Sequence, residues 1–289
     1  SDANVLDNGK FLLFGFLSGD NIDYKDDLKE NFKWKNNLVG FNWLQLYEAP
    51  VFSDMSVSFS NYSGEIIPNL ANVKPRQNEV NDFSIKMNIT YVQDNKDQLD
   101  LGIDFKAIGT KLLTFNTLGA ETDYDKFGGN FSIFGKYKLL RFDNLGMDIG
   151  SRVNITGISA NGGFFFEPRF SISYVPIPQI AIKAAWGIYQ QELVTITDED
   201  EVITLFEPWM IVPDYLTPPR SIHYVAGIDY YLSTDIKVKL ETYYKVTSNL
   251  PIINKNKVLK KEPDLVSGKG EASGIELSVN YTGNPININ

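Results

Sequence analysis

Apolar and polar side chains alternate at every second position through most of this chain. Over 236–245 one row holds Ile236, Val238, Leu240, Thr242 and Tyr244, and the other holds Lys237, Lys239, Glu241, Tyr243 and Lys245. A period of two belongs to an extended strand, since a helix repeats every ~3.6 residues. The same sorting separates Phe170, Ile172 and Tyr174 from Arg169, Ser171 and Ser173. It also separates Ile275, Leu277, Val279 and Tyr281 from Glu276, Ser278 and Asn280.

Taken in order, the alternation predicts about twelve strands: 10–18, 37–47, 54–62, 82–92, 98–108, 129–142, 145–156, 164–175, 179–191, 221–232, 236–246 and a last one ending near Tyr281. Between them the connections alternate in length. Long polar loops are expected at 19–31 (where DDLKENF could make a helical turn), 63–80, 109–128, 157–163, 192–220 and 247–269. Short turns are expected near Ala49 and Pro50, at Asp94-Asn95-Lys96-Asp97, Asp143-Asn144, Pro176-Ile177-Pro178 and Ser233-Thr234-Asp235. A barrel that crosses a membrane keeps long loops on one rim and short turns on the other. The reading is therefore an all-β, antiparallel up-and-down transmembrane β-barrel, or a barrel segment, forming one unit over 1–289. A soluble half-buried sheet would also alternate. The polar rows argue against it: they hold Ser, Gly, Asn and Thr with charges of both signs, such as Asp104 with Lys106.

Composition narrows the classes further. No window approaches the ~18 to 20 unbroken apolar residues of a spanning helix, which excludes a helical membrane protein but not a β one. The 15 Tyr and 19 Phe suit positions where a ring is half apolar and half wet. Net charge is −9 with no extended basic run, so no nucleic-acid footprint is present. The absence of cysteine rules out a disulfide scaffold and Cys-based metal sites. The opening SDANVLDNGK has neither a charged n-region nor an apolar h-region, as expected of a mature protein or an internal piece.

The residues FEPRFSISYVP and IKAAWGIYQQ within 166–191 resemble the barrel of TonB-dependent outer-membrane receptors. The resemblance continues through TPPR at 217–220, HYVAGIDY at 223–230, ETYYKVTSNLP at 241–251 and GKGEASGIEL at 268–277, covering a little over a third of the chain. It implies a barrel of about 22 strands closed by an N-terminal plug. It further implies uptake of a scarce ligand (an iron chelate, cobalamin or an oligosaccharide) driven through TonB in the bacterial outer membrane. The chain departs from that pattern in showing no plug domain and no TonB box, in having about twelve strands, and in ending TGNPININ and not on an aromatic strand. It is thus expected to be a barrel segment with lipid, a small ligand and the TonB complex as partners, no cofactor and no enzymatic activity. The alternatives are a complete small barrel acting as a passive porin or adhesin, and a soluble all-β binding module.

Candidate chemistry is sparse. His223 is the single histidine, so a Ser-His-Asp triad would have to use it with Ser221, two residues away and expected to lack the necessary hydrogen-bond geometry. It reads instead as a strand-start residue at the external rim. Asp198, Glu199, Asp200 and Glu201 form a carboxylate cluster that could take calcium, although without EF-hand spacing. Lys255, Lys257, Lys260 and Lys261 could attract an anion; a solvated loop is the plainer reading of both clusters. Arg169, Lys183, Asp229, Glu241 and Glu276 fall on the polar rows, as plug contacts, ligand contacts or cross-strand pairs. Trp186, Tyr244 and Tyr281 fall on the apolar rows near strand ends, where interfacial girdles form.

Overall fold

A computed structural model describes the chain except for residues 1, 7, 26–28, 70–74, 116–120, 158–162, 197–207, 255–256, 258–260, 283–286 and 289. The strands are β1 (Asp2–Leu6), β2 (Gly9–Ile22), β3 (Glu30–Leu46), β4 (Val51–Pro68), β5 (Arg76–Val92), β6 (Gln98–Phe115), β7 (Glu121–Phe142), β8 (Leu145–Thr156), β9 (Phe164–Ile177), β10 (Ile180–Gln190), β11 (Leu193–Thr195), β12 (Trp209–Ile211), β13 (Arg220–Tyr231), β14 (Ile236–Ile253), β15 (Leu265–Thr282) and β16 (Asn287–Ile288). Fourteen of them form one antiparallel sheet in strict chain order, with β10 passing directly to β13. β11 and β12 pair separately with each other. The sheet is open, with β1 at one edge and β16 at the other. All twelve long strands coincide with predicted ones, and the four short ones are additional.

Register assigns the faces. Leu101, Ile103 and Phe105 of β6 oppose Ile89, Met87 and Ile85 on one side and Gly135, Ile133 and Phe131 on the other. These apolar side chains are exposed and form a continuous outer face. They do not meet a second sheet, as a sandwich would require. Trp186, Tyr224 and Tyr244 form one aromatic row on that face, in register across β10, β13 and β14, with Tyr224 and Tyr244 stacked at 6.3 Å. Tyr281 lies at the opposite end of the strands, paired with Ile236.

Four of the six long loops are shorter than the alternation predicts, because pairing continues after the alternation stops, while 157–163 and the connection from β10 to β13 keep their predicted lengths to within a residue. β2 runs to Ile22, β3 begins at Glu30, β6 runs to Phe115 and β7 begins at Glu121. Of the run DDLKENF, on which a helical turn was expected, residues 26–28 lie outside the described residues, and 30–32 already belong to β3. Backbone hydrogen bonding, not side-chain sorting, extends these hairpins.

At the short-turn rim, Asp97 is fully enclosed. Its carboxylate accepts hydrogen bonds from the Leu140 and Arg141 backbone N–H groups (2.8 and 3.0 Å), from Arg141 Nε (2.9 Å) and from the Tyr137 hydroxyl. One side chain thereby ties the β5–β6 turn to the end of β7. The Arg141 guanidinium holds this carboxyl well below the usual Asp range, outweighing the opposing effect of burial. A depressed carboxyl contributes stability above its unfolded pKa of ~3.9 and loses it only as pH falls through the much lower folded value. The turn should therefore stay locked through mildly acid solution. In Asp97→Asn, amide exchange at Leu140 and Arg141 should speed up at neutral pH and lose its dependence on pH below ~4. Exchange equal to wild type would show that the carboxylate does not hold the turn.

Candidate functional site

The polar rows share the inner face, and residues 191–196 and 208–219, the described parts of the segment between β10 and β13, fold down over them as a roof. Its anchors are polar and apolar together. Asn78 of β5, 0% exposed, receives the Trp209 N–H on Oδ1 (2.8 Å) and donates from Nδ2 to the carbonyls of Trp209 (2.7 Å) and Lys111 (3.0 Å). Thr110 Oγ1 accepts the Ile211 N–H at 3.2 Å. Ile108 packs on the fully buried Ile211, while Leu112 of β6 and Leu265 of β15 join Val194, Met210, Val212 and Leu216. Ile108 and Leu112 lie on the inner row, so the inner face turns apolar where the roof covers it.

The base of the roof is Glu192. Asn130 Nδ2 (3.0 Å) and the Thr156 hydroxyl donate to its carboxylate, and the Val212 N–H donates to its backbone carbonyl (2.8 Å). Burial pushes the Glu192 carboxyl above the usual Glu range, against those hydrogen bonds and nearby Lys126. Lys126 itself pairs with Asp214 of the roof.

Beneath Glu192 a belt of polar side chains crosses four strands, β6 to β9. Arg152 of β8 donates from Nη2 to Asp104 (2.8 Å) and Ser132 (2.8 Å), and from Nε to Asn154 (2.8 Å). Asn154 donates on to Glu167 (3.0 Å), which also accepts from Arg169 (2.7 Å) and from the Gln190 N–H (3.0 Å). Below the belt a cavity of about 820 Å³ opens on the inner face across β3 to β10. Asp54 stands in it, accepting from Asn42 (2.7 Å) and Asn88 (2.6 Å). Asp100 stands opposite, paired with Lys136 (3.2 Å) and Lys138 (3.4 Å).

The five charged residues singled out on the polar rows all lie on this face but do not converge. Arg169 lines the large cavity and stacks its guanidinium 4.7 Å from the Tyr189 ring. Lys183 and Lys237 both pair with the buried Asp229 (2.7 and 2.9 Å). Glu241 pairs with Lys239 (2.6 Å) and sits opposite Glu276 in the β14–β15 register. Lys183 and Glu241 line a second cavity of about 380 Å³. Asp198, Glu199, Asp200 and Glu201 lie outside the described residues, as do Lys255 and Lys260. Lys257 pairs with Asp264 (2.5 Å). Among the described residues no cluster of three or more acidic or His side chains is placed to hold a metal.

His223 departs from expectation. Its Nε2 lies 3.0 Å from Ser221 Oγ, a hydrogen bond the two-residue spacing was expected to preclude. Two side chains on one face of a strand can meet when both lean along it. Ser221 Oγ is also 2.8 Å from Thr247 Oγ1, and the imidazole rests on the Tyr189 ring at 4.6 Å. Its cross-strand partner is Lys245. A triad needs a carboxylate on the other ring nitrogen, and among the described residues none is hydrogen-bonded to this imidazole, so the contact has the form of a same-face strand pairing.

No protein-family model matches the sequence, and no curated protein matches it in sequence. Solved structures match in fold. A ferric enterobactin receptor (PfeA) variant from Pseudomonas aeruginosa superposes with TM-score 0.72 at 11% identity, covering 96% of this chain and 47% of its own. The siderophore receptor PirA from Acinetobacter baumannii gives 0.68 at 14%, covering 97% and 49%. The outer membrane transporter YddB from Escherichia coli gives 0.66 at 10%, covering 97% and 44%. The chain spans about half the length of these structures. At such identities the likeness is one of fold, and that fold is the barrel portion of TonB-dependent outer-membrane receptors.

Proposed function

We propose that the chain forms the larger part of the wall of an outer-membrane uptake barrel in a Gram-negative bacterium. In this reading it captures a small ligand under its loop-end roof and passes it along the polar inner face. Movement of a plug and coupling to TonB complete the cycle, and neither reaction chemistry nor a cofactor is required of the wall. One observation carries the reading: a single sheet whose exposed face is apolar from strand to strand, while its other face is polar and hydrogen-bonded. In water the exposed rows would cost about 25 cal/mol per Å² of apolar surface, whereas acyl chains cover them. The receptors and transporters that share the fold support it. An iron chelate, cobalamin and an oligosaccharide all remain within the ligand class, and the paired inner-wall charges Arg169, Lys183, Asp229, Glu241 and Glu276 would line the route or meet the plug.

The test is fractionation of the full-length protein followed by ligand uptake in cells with and without an active TonB system. Recovery in the outer membrane as a heat-modifiable band, with uptake lost on deleting the gene or de-energising TonB, is expected. Recovery as a folded monomer in the aqueous phase without detergent would end the proposal.

A further inference from the structure

Along β2 and β3 the inner face departs from its polar character. Residues directly opposite in an antiparallel pair share a face, and Leu44 and Asp54, opposite each other, both line the large cavity. The even-numbered rows of β2 and β3 are therefore inner. On β2 that row reads Phe16, Phe14 and Leu12, while the outer row of Leu17, Leu13 and Phe11 is apolar as well. One apolar row meets lipid, and the other needs a second apolar partner.

The inner row belongs to a lane. Phe16 stands opposite Leu38, and the Phe14 ring lies over Gly40, where a Cβ would collide with it. Leu12 follows, and the lane then steps across to Leu44 and Phe52 at the cavity. Its upper end is Trp34 with Tyr62, and Tyr62 lies opposite Val80, which packs on Ile211 of the roof. Between Trp34 and Leu44 the strand extends about 34 Å at ~3.4 Å per residue. Among the described residues nothing covers the middle of the lane: Phe16 is 54% exposed, and Leu12 and Phe14 are exposed too.

Charge and width decide what fits there. Between the rows of Asp20 above and Lys10 below, the inner rows of β2, β3 and β4 hold no charged side chain. Asn36 and Asn42 of β3 and Ser56, Ser58 and Ser60 of β4 stand beside the apolar groups. The charged residues of the inner wall lie elsewhere, in the belt and on β9 to β14. A protein domain held by ion pairs would find its partners there and not on the lane. An oligosaccharide needs a stacking plane or a hydrogen-bond partner at each ring, and Leu12, Leu38 and Leu44 supply neither. A long, narrow, uncharged apolar strip that joins the roof to the cavity is complementary to one extended hydrocarbon chain.

We propose that the lane carries the hydrocarbon chain of an uncharged amphiphilic ligand from the margin of the roof to the cavity, with the ligand's polar head on the polar inner face beside it. This rests on the uptake reading above, since it names the class of ligand the wall takes in. The test is photolabelling of the full-length protein in phospholipid nanodiscs with a dodecyl glucoside that carries a diazirine on its chain, the adducts being placed by mass spectrometry. Saturable adducts are expected on Leu12, Phe16 or Leu38, competed by unlabelled dodecyl glucoside but not by butyl glucoside or maltohexaose. Phe16→Ser combined with Leu38→Ser should weaken that competition at least about tenfold through lost apolar contact. Leu17→Ser, on the lipid face, should leave it unchanged. Heat-modifiable mobility establishes that each variant is folded, and the wild-type adduct map stands without them. Adducts confined to outer-row positions such as Leu13 and Leu17 would overturn the assignment, as would competition by maltohexaose or equal competition in the folded double variant. So would the absence of saturable inner-row adducts, the result expected if another part of the protein fills the lane. None of these results bears on outer-membrane location or TonB-dependent uptake, which fractionation and transport measure separately.

Discussion

Asn78→Ala should release the roof from the wall. The side chain meets the Trp209 N–H, the Trp209 carbonyl and the Lys111 carbonyl, all within a 0% exposed site. Alanine leaves those backbone groups enclosed and unpaired, at about 1–3 kcal/mol each. The loss falls on the docked state alone, so the open state should gain population. Limited proteolysis should then cut within 191–219 under conditions that spare the wild type, while the rest of the sheet resists. Asn78→Asp is the sharper control. It keeps the volume and one acceptor but removes both donations and sets a carboxylate against two carbonyls, so it should open the roof at least as far. If neither variant changes the cleavage pattern, the polar anchor is not what holds the segment.

The same assay carries a pH signature. Because burial raises the Glu192 carboxyl, the docked state holds its proton more tightly than the released state does. That contribution is fully present below the unfolded pKa of ~4.3 and is lost as pH rises through the raised folded value. Roof protection should therefore be greater in mild acid than at neutral pH, and Glu192→Gln should flatten the difference.

How much of this could be read from residues alone depends on whether a row faces one environment along its whole length. In β6 the row Leu101, Ile103, Phe105 is apolar and the row Gly102, Asp104, Lys106 is polar, so 98–108 is legible as a strand. Beyond it Ile108 and Leu112 are apolar on the inner row, because the roof covers them. With Lys111 on the outer row and Leu112 on the inner one, the two rows no longer sort into apolar and polar, and the extension to Phe115 was expected as loop. A signal was present in the run Trp209-Met210-Ile211-Val212, since an insertion exposed to water has no use for four large apolar residues in succession. The belt was beyond reach for another reason. Asp104, Ser132, Arg152, Asn154 and Glu167 come from four strands, and only the registers set by the turns bring them side by side. Nothing local in the sequence marks Glu167 as the acceptor for both Asn154 and Arg169. The fold was legible because it repeats, and the site was not because each of its contacts occurs once.

Ile133→Arg should separate a lipid-facing wall from a water-facing one more sharply than any inner-face change. Ile133 sits on the outer row of β7 between Ile103 and Val153, and it is 51% exposed in the isolated chain. An arginine on the lipid face costs about 2–4 kcal/mol near the midplane of the bilayer and falls toward zero at its edges. The same substitution on a surface bathed in water changes stability by no more than about 0.5 kcal/mol. Urea titration of the full-length protein folded into phospholipid vesicles should thus show a clear loss for Ile133→Arg. Lys86→Arg, a basic exchange on the inner face, should stay close to wild type. The depth dependence adds an internal check. Arginine at Tyr281, at the short-turn end of β15, should cost less than at Ile133, because the charge can reach the headgroups there. Equal and negligible effects at both positions would mean that water, not lipid, covers the apolar rows.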